Sequence, residues 1–139
     1  MGSFSDYLEN ALLNHVFGTG SGHKLSYAPT NKWLALCTVA VAETSEGADL
    51  TEPAEAAGYH RVQCETWLVA STGFTQNSGD ITFVTATEGW GKILDFAICD
   101  TDAYGAGEVL AYGTLTVSKS VQTGDTPKFA AGDLDITLT

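Results

Sequence analysis

Nine residues, 18-GTGSGHKLS-26, hold the ingredients of a phosphate-binding loop: glycines, a lysine and a serine. A Walker loop sets a glycine directly before its lysine, so that backbone amides wrap the phosphates, and it runs from a strand into a helix. Here His23 precedes Lys24, and the stretch follows a helical pattern. Its amides would not collect at the positive end of a helix dipole. Alternating glycines and small hydroxyl residues predict a flexible hinge instead.

Acid–base chemistry needs a base held beside a nucleophile, and the three histidines are His15, His23 and His60. None adjoins a Gly-x-Ser-x-Gly elbow or a cysteine in papain-like surroundings, so each reads as a partly buried hydrogen-bonding residue. With 17 acids, carboxylate pairs suited to glycoside chemistry occur everywhere, and none stands out. The pair in 100-DTD-102 starts like a calcium loop, but Tyr104 and Ala111 occupy the fifth and twelfth ligand positions. A polar turn is expected there. Cys37, Cys64 and Cys99 lie far apart inside apolar alternating segments, which predicts buried free thiols rather than a disulfide framework or a metal site. These residue types call for no catalysis, no cofactor and no metal.

Aromatic residues offer binding chemistry. Trp33 and Trp67 fall within strand patterns and are expected to pack, whereas Trp90, between glycines in 88-EGWGK-92, is expected at an exposed turn where it could touch a sugar or another partner. The balance of six basic to 17 acidic residues, a net charge of -11, argues against nucleic acid and anionic membrane as partners, because phosphate contacts need clustered Lys and Arg. No basic segment followed by an apolar core opens the chain, and no long apolar window occurs, so cytoplasmic synthesis without export or membrane insertion is expected.

The elements that would position these residues follow from periodicity. Phe4, Leu8, Leu12 and Val16 have helical spacing, with Ser3 or Ser5 as the cap, which predicts an amphipathic helix over 1–17. A hinge over 18–31 follows. From residue 32 the period is two, with strands expected at 32–41, 59–69, 80–84, 92–99, 108–117 and 133–139. In the first, Trp33, Ala35, Cys37 and Val39 oppose Leu34, Leu36 and Thr38, and apolar residues on both faces mark a central strand. In the second, His60, Val62, Cys64, Thr66 and Leu68 are expected inward, with Tyr59, Arg61, Gln63 and Glu65 outward. In the last, Leu134, Ile136 and Leu138 are expected inward. Turn residues separate the strands, at Asn77-Ser78-Gly79, Tyr104 to Gly107, Gly124 to Pro127 and Ala131-Gly132-Asp133. The fold class is therefore mainly β: an antiparallel sandwich or barrel-like domain of six to eight strands over 32–139, with one N-terminal helix. Its longest connection, 43–57, carries Glu43, Glu46, Asp49, Glu52 and Glu55 without a basic residue, which reads as a solvated acidic surface.

Five stretches, 3-SFSDYLENALLNHVFG-18, 58-GYHRV-62, 85-TATEGWGKILDFAICD-100, 109-VLAYGTLTVSKSV-121 and 123-TGDTPKFAAGDLDITLT-139, resemble a family of small phage virion proteins labelled phage tail fibre protein. The resemblance implies a non-enzymatic structural component of a tailed phage, on the virion surface and assembled in the host cytoplasm. A lone compact domain suits a capsid decoration subunit, with a small tail fibre or adaptor piece as the alternative. Partners would be the major capsid protein or tail proteins, together with further copies of this chain, in a trimer. Contact residues would be Phe4, Tyr7, Leu8 and Leu12 on the helix, and Trp90.

Overall fold

A computed structural model describes residues 2–9, 12 and 31–138. The expected hinge up to residue 30, His15, His23 and Lys24 lie outside the described residues, as do residues 1, 10, 11 and 13–17 of the expected helix. The described strands are β1 (Gly2–Phe4), β2 (Trp33–Cys37), β3 (Val62–Gln63), β4 (Phe74–Gln76), β5 (Ile81–Thr82), β6 (Gly91–Cys99), β7 (Val109–Val121), β8 (Lys128–Phe129) and β9 (Asp135–Thr137). Seven make one curled sheet in the order β3-β2-β6-β7-β1-β9-β4, and β5 pairs with β8 in a small second sheet. The fold is mainly β, as its alternating pattern predicts.

β2, β6 and β7 carry the sheet because they are its longest runs of apolar and β-branched residues. Leu34 stands opposite Ile98 and Leu36 opposite Phe96 across β2 and β6. Both faces of β2 are covered, as expected of a central strand. Leu34 and Leu36 join Ile93, Phe96, Ile81 and Phe83 in the main core, while Ala35 and Cys37 join Ala97, Cys99 and Val109 in a second cluster. Between Ile93 and Asp95 the β6–β7 ladder jumps from Lys119 to Thr114, so residues 115–118 bulge out against the single residue Leu94.

The N-terminus departs from its periodicity. Phe4, expected to begin the helix, ends β1, which is antiparallel to β7 with Phe4 opposite Ala111, and parallel to β9 with Gly2 opposite Ile136. That last pairing is the exception in an otherwise antiparallel sheet. A Cβ on Gly2 would collide with the Ile136 side chain, so the smallest residue lets the chain pass between its neighbours. Helical residues 6–9 follow, capped by Ser5: the Leu8 amide donates to its Oγ at 3.4 Å, and its hydroxyl donates to the Val109 carbonyl. Removing residues 1–17 therefore removes an interior strand as well as the helix.

Segment 59–69 also departs. Only Val62–Gln63 is strand, and the facing is reversed at its start: Tyr59 and Arg61 are buried, and His60 and Leu68 are exposed. The reason is a buried ion pair, described below, that draws Arg61 inward. In the last strand Leu134 and Ile136 are buried as expected, but Leu138 is exposed, beyond the end of β9. β4 and β8 are too short to show a period, and none was expected at either place.

Candidate functional site

Glu52 sits inside the acidic segment and is buried, contrary to the solvated surface that its neighbours suggest. Its carboxylate takes two parallel bonds from Arg61, Nε to Oε1 at 2.9 Å and Nη2 to Oε2 at 2.8 Å, a bidentate geometry in which both charges are fully covered. Tyr59 donates its hydroxyl to Glu52 Oε1 at 2.8 Å and accepts from the Leu36 amide at 3.0 Å. Arg61 Nη1 donates to the carbonyls of Thr101 and Ala106 at 2.9 and 3.0 Å, and the Gly105 amide reaches Glu52 Oε2 at 3.3 Å. One pair of charges thus ties β2, the acidic segment and the 100–107 turn together.

The electrostatics follow from burial. Burial pushes the Tyr59 phenol up, and the nearby Glu52 charge pushes it further, so it stays a proton donor to that carboxylate. Burial alone would lower Arg61, but its hydrogen bonds to Glu52 outweigh this and raise it. Each nitrogen of Arg61 and the Tyr59 hydroxyl already donates to a protein oxygen, so the arrangement is suited to holding loops. Glu43, Glu46, Asp49 and Glu55 remain exposed, which leaves a negative rim around a fixed centre.

Trp90 is 4 % exposed, a correction to the expected surface turn. Its Nε1 donates to the Ala57 carbonyl at 2.9 Å and its ring meets Tyr59 edge-on at 5.3 Å. A large indole with an apolar cluster and a carbonyl within reach is better buried than wet. Phe4 packs on the same main core, and Tyr7, Leu8 and Leu12 are half-buried. Trp33 and Trp67 are half-buried too, as packing residues. His60 is exposed, with Nδ1 3.9 Å from the Glu55 carboxylate.

Cys37, Cys64 and Cys99 are free and buried, as expected. Burial pushes Cys64 and Cys99 up to about 12, which leaves no thiolate at neutral pH. Asp100 accepts from the Glu108 amide at 2.8 Å, making 100-DTD-102 the polar turn expected of it. Sequence spacing did not join Asp6, Glu9 and Glu43, whose carboxylate oxygens lie within 4.8 Å of one another. They meet because the Asp6 amide donates to the Glu43 carbonyl at 3.2 Å, a contact across a long stretch of chain.

An open concavity of about 750 Å³ lies between the bulge of β7 and residues 125–129. Leu36, Ile93, Leu115 and Phe129 line it, with Val117 exposed beside them. A family model described as Podophage GP4 fiber I protein gp80 matches residues 3–137. The chain belongs to this phage fibre protein family. The match takes in the buried Glu52–Arg61 pair, the open concavity, residues 18–31 and the acidic segment. No curated protein matches the chain. Among the described residues no helix is long and apolar enough to cross a membrane.

Proposed function

We propose that this protein is a non-enzymatic structural subunit of a tailed-phage virion, built into its fibre apparatus. The family match over residues 3–137 is the observation that carries this reading. The buried polar network supports it: Glu52, Arg61 and Tyr59 fasten loops to one another, which suits a part that must keep its shape. The mechanism is mechanical. Symmetry-related copies bind the assembled particle, and contacts made only with that state slow its dissociation and add through avidity.

Decoration of the capsid lattice, with the major capsid protein as partner, is the second reading. The form of the described residues favours it, a curled sheet rather than the elongated stalk from which a fibre gains reach. Quantitative mass spectrometry of purified virions separates the two. A few copies of this chain per hundred capsid subunits is the outcome expected of a fibre, whereas a ratio of about one, or about one third, follows from lattice symmetry and would replace the fibre reading with decoration.

A further inference from the structure

Strand β7 is the longest in the sheet, yet its side away from β6 is covered only where β1 runs, over Ala111 to Gly113. β1 stops at Gly2, opposite Gly113. Beyond that point, residues 114–120 bond to no element other than β6 among the described residues. Thr114, Thr116, Val117, Lys119 and Ser120 are exposed there. A bare strand edge is a row of amides and carbonyls at a fixed spacing, and what satisfies such a row is another extended backbone.

The two ends of the sheet are managed differently. β3 is only two residues long. β4 is covered by residues 66–71, which fold back on it as a hairpin around Thr72-Gly73. The Leu68 amide donates to the Gln76 carbonyl at 2.9 Å, and Ser71 and Phe74 exchange bonds of 3.0 and 3.1 Å. Short length and a covering segment are ordinary protections for an edge, and the upper half of β7 has neither.

The concavity described above runs along this same stretch. The buried Leu36 and Ile93 form its floor, and residues 125–129 stand across from β7. Most of its charges are already engaged. Asp125 accepts from the Gln122 amide at 2.8 Å, Asp133 from the Ala130 amide at 2.7 Å, and Lys128 pairs with Asp80 at 2.9 Å. Lys119, on the open edge itself, makes no ion pair among the described residues. A lysine on an edge keeps unsuited strands away, so a strand that pairs here has to bring a carboxylate to meet it.

We propose that the open edge of β7 takes up an extended segment of another virion protein, which continues the line of β1. That segment is apolar at alternate residues, toward Leu36 and Ile93, and places an acid beside Lys119. Backbone bonds hold it, and the alternation selects it. A second copy does not supply such a segment, because its alternating apolar strands already bury those residues in its own core. The proposal rests on the virion reading and names where the assembly contact lies.

Hydrogen exchange of the full chain, resolved to single amides, tests it in the free protein and in purified virions. The amides of residues 114–120 that face away from β6 should exchange freely in the free chain and slow at least about tenfold in the particle. Lys119→Glu should lower the number of copies per capsid by about tenfold or more, with the thermal midpoint of the free chain unchanged, and Lys119→Arg should restore it. A chain absent from virions would overturn the virion reading. A chain that is present, with residues 114–120 exchanging as they do when free, would overturn this inference alone. Protection that appears in the free chain as its concentration rises would give the edge to a second copy and overturn it too, as would incorporation of Lys119→Glu at the wild-type level.

Discussion

Two excursions from the sheet reverse what their compositions suggest. The acidic segment 43–57 looks like solvated chain, yet Glu52 anchors it through Arg61 and Tyr59 to β2 and to the 100–107 turn. Segment 66–79 has no charge and carries Leu68 and Val69, yet it holds those side chains in water. Burial at each place was decided by whether a partner stood within reach. A charge with a bidentate partner can go inside, and an apolar residue without a neighbouring layer stays out.

The strongest way to break this comparison is Arg61→Ala, which leaves Glu52 buried without a counter-charge. It should lower the unfolding free energy by about 3–5 kcal/mol, a large share of a domain's total, as read by urea denaturation. Arg61→Met combined with Glu52→Leu should recover most of that loss, because an apolar pair of similar size needs no solvation. A double variant as unstable as the single would show that the pair's outer bonds, to Thr101 and Ala106, matter more than its charges. Raising the pH attacks the same region more gently. Tyr59, Cys64 and Cys99 hold their protons more tightly folded than unfolded, chiefly because of burial. Their contribution is complete below about pH 9, where an ordinary thiol begins to ionise, and is lost as pH rises through that value and beyond. The thermal midpoint should therefore fall steadily above pH 9, and a flat profile to pH 11 would contradict the buried, protonated state of these groups.

Changes in the hairpin should be smaller. Thr72 is a β-branched residue at φ 55°, so Thr72→Gly should relieve roughly 1 kcal/mol of backbone strain and raise the thermal midpoint by a few degrees. The smallest effect is expected from Val69→Ser in the single chain, within about 0.5 kcal/mol of wild type in calorimetry, because its side chain touches little. A larger loss would mean that Val69 is covered by its own chain, and the contrast between the two excursions would fail.

Much of this was legible beforehand. β2, β6 and β7 are long enough for a period of two to show, and the apolar residues on both sides of β2 correctly marked a strand covered on both faces. The turns at Asn77 to Gly79 and Ala131 to Asp133 were marked by glycine and by short polar side chains. The failures share a cause. Phe4 satisfies a helical spacing and a strand equally well over three residues, and only the gap between β7 and β9 selects the strand. Trp90 between glycines reads as a surface turn until Tyr59 and the Ala57 carbonyl are brought beside it. Arg61 alternates outward on paper, and Glu52 nine residues earlier gives no local sign that it will meet it.

Alternation, turn chemistry and charge balance are local or additive properties, so the sequence by itself determined a mainly β, acidic chain with buried thiols. Which acid goes inside, which apolar side chains stay out, and where a concavity opens depend on contacts between residues distant along the chain. Only the tertiary structure decided these, because the desolvation of a charge or a side chain is set by what surrounds it in space and not by what precedes it in sequence.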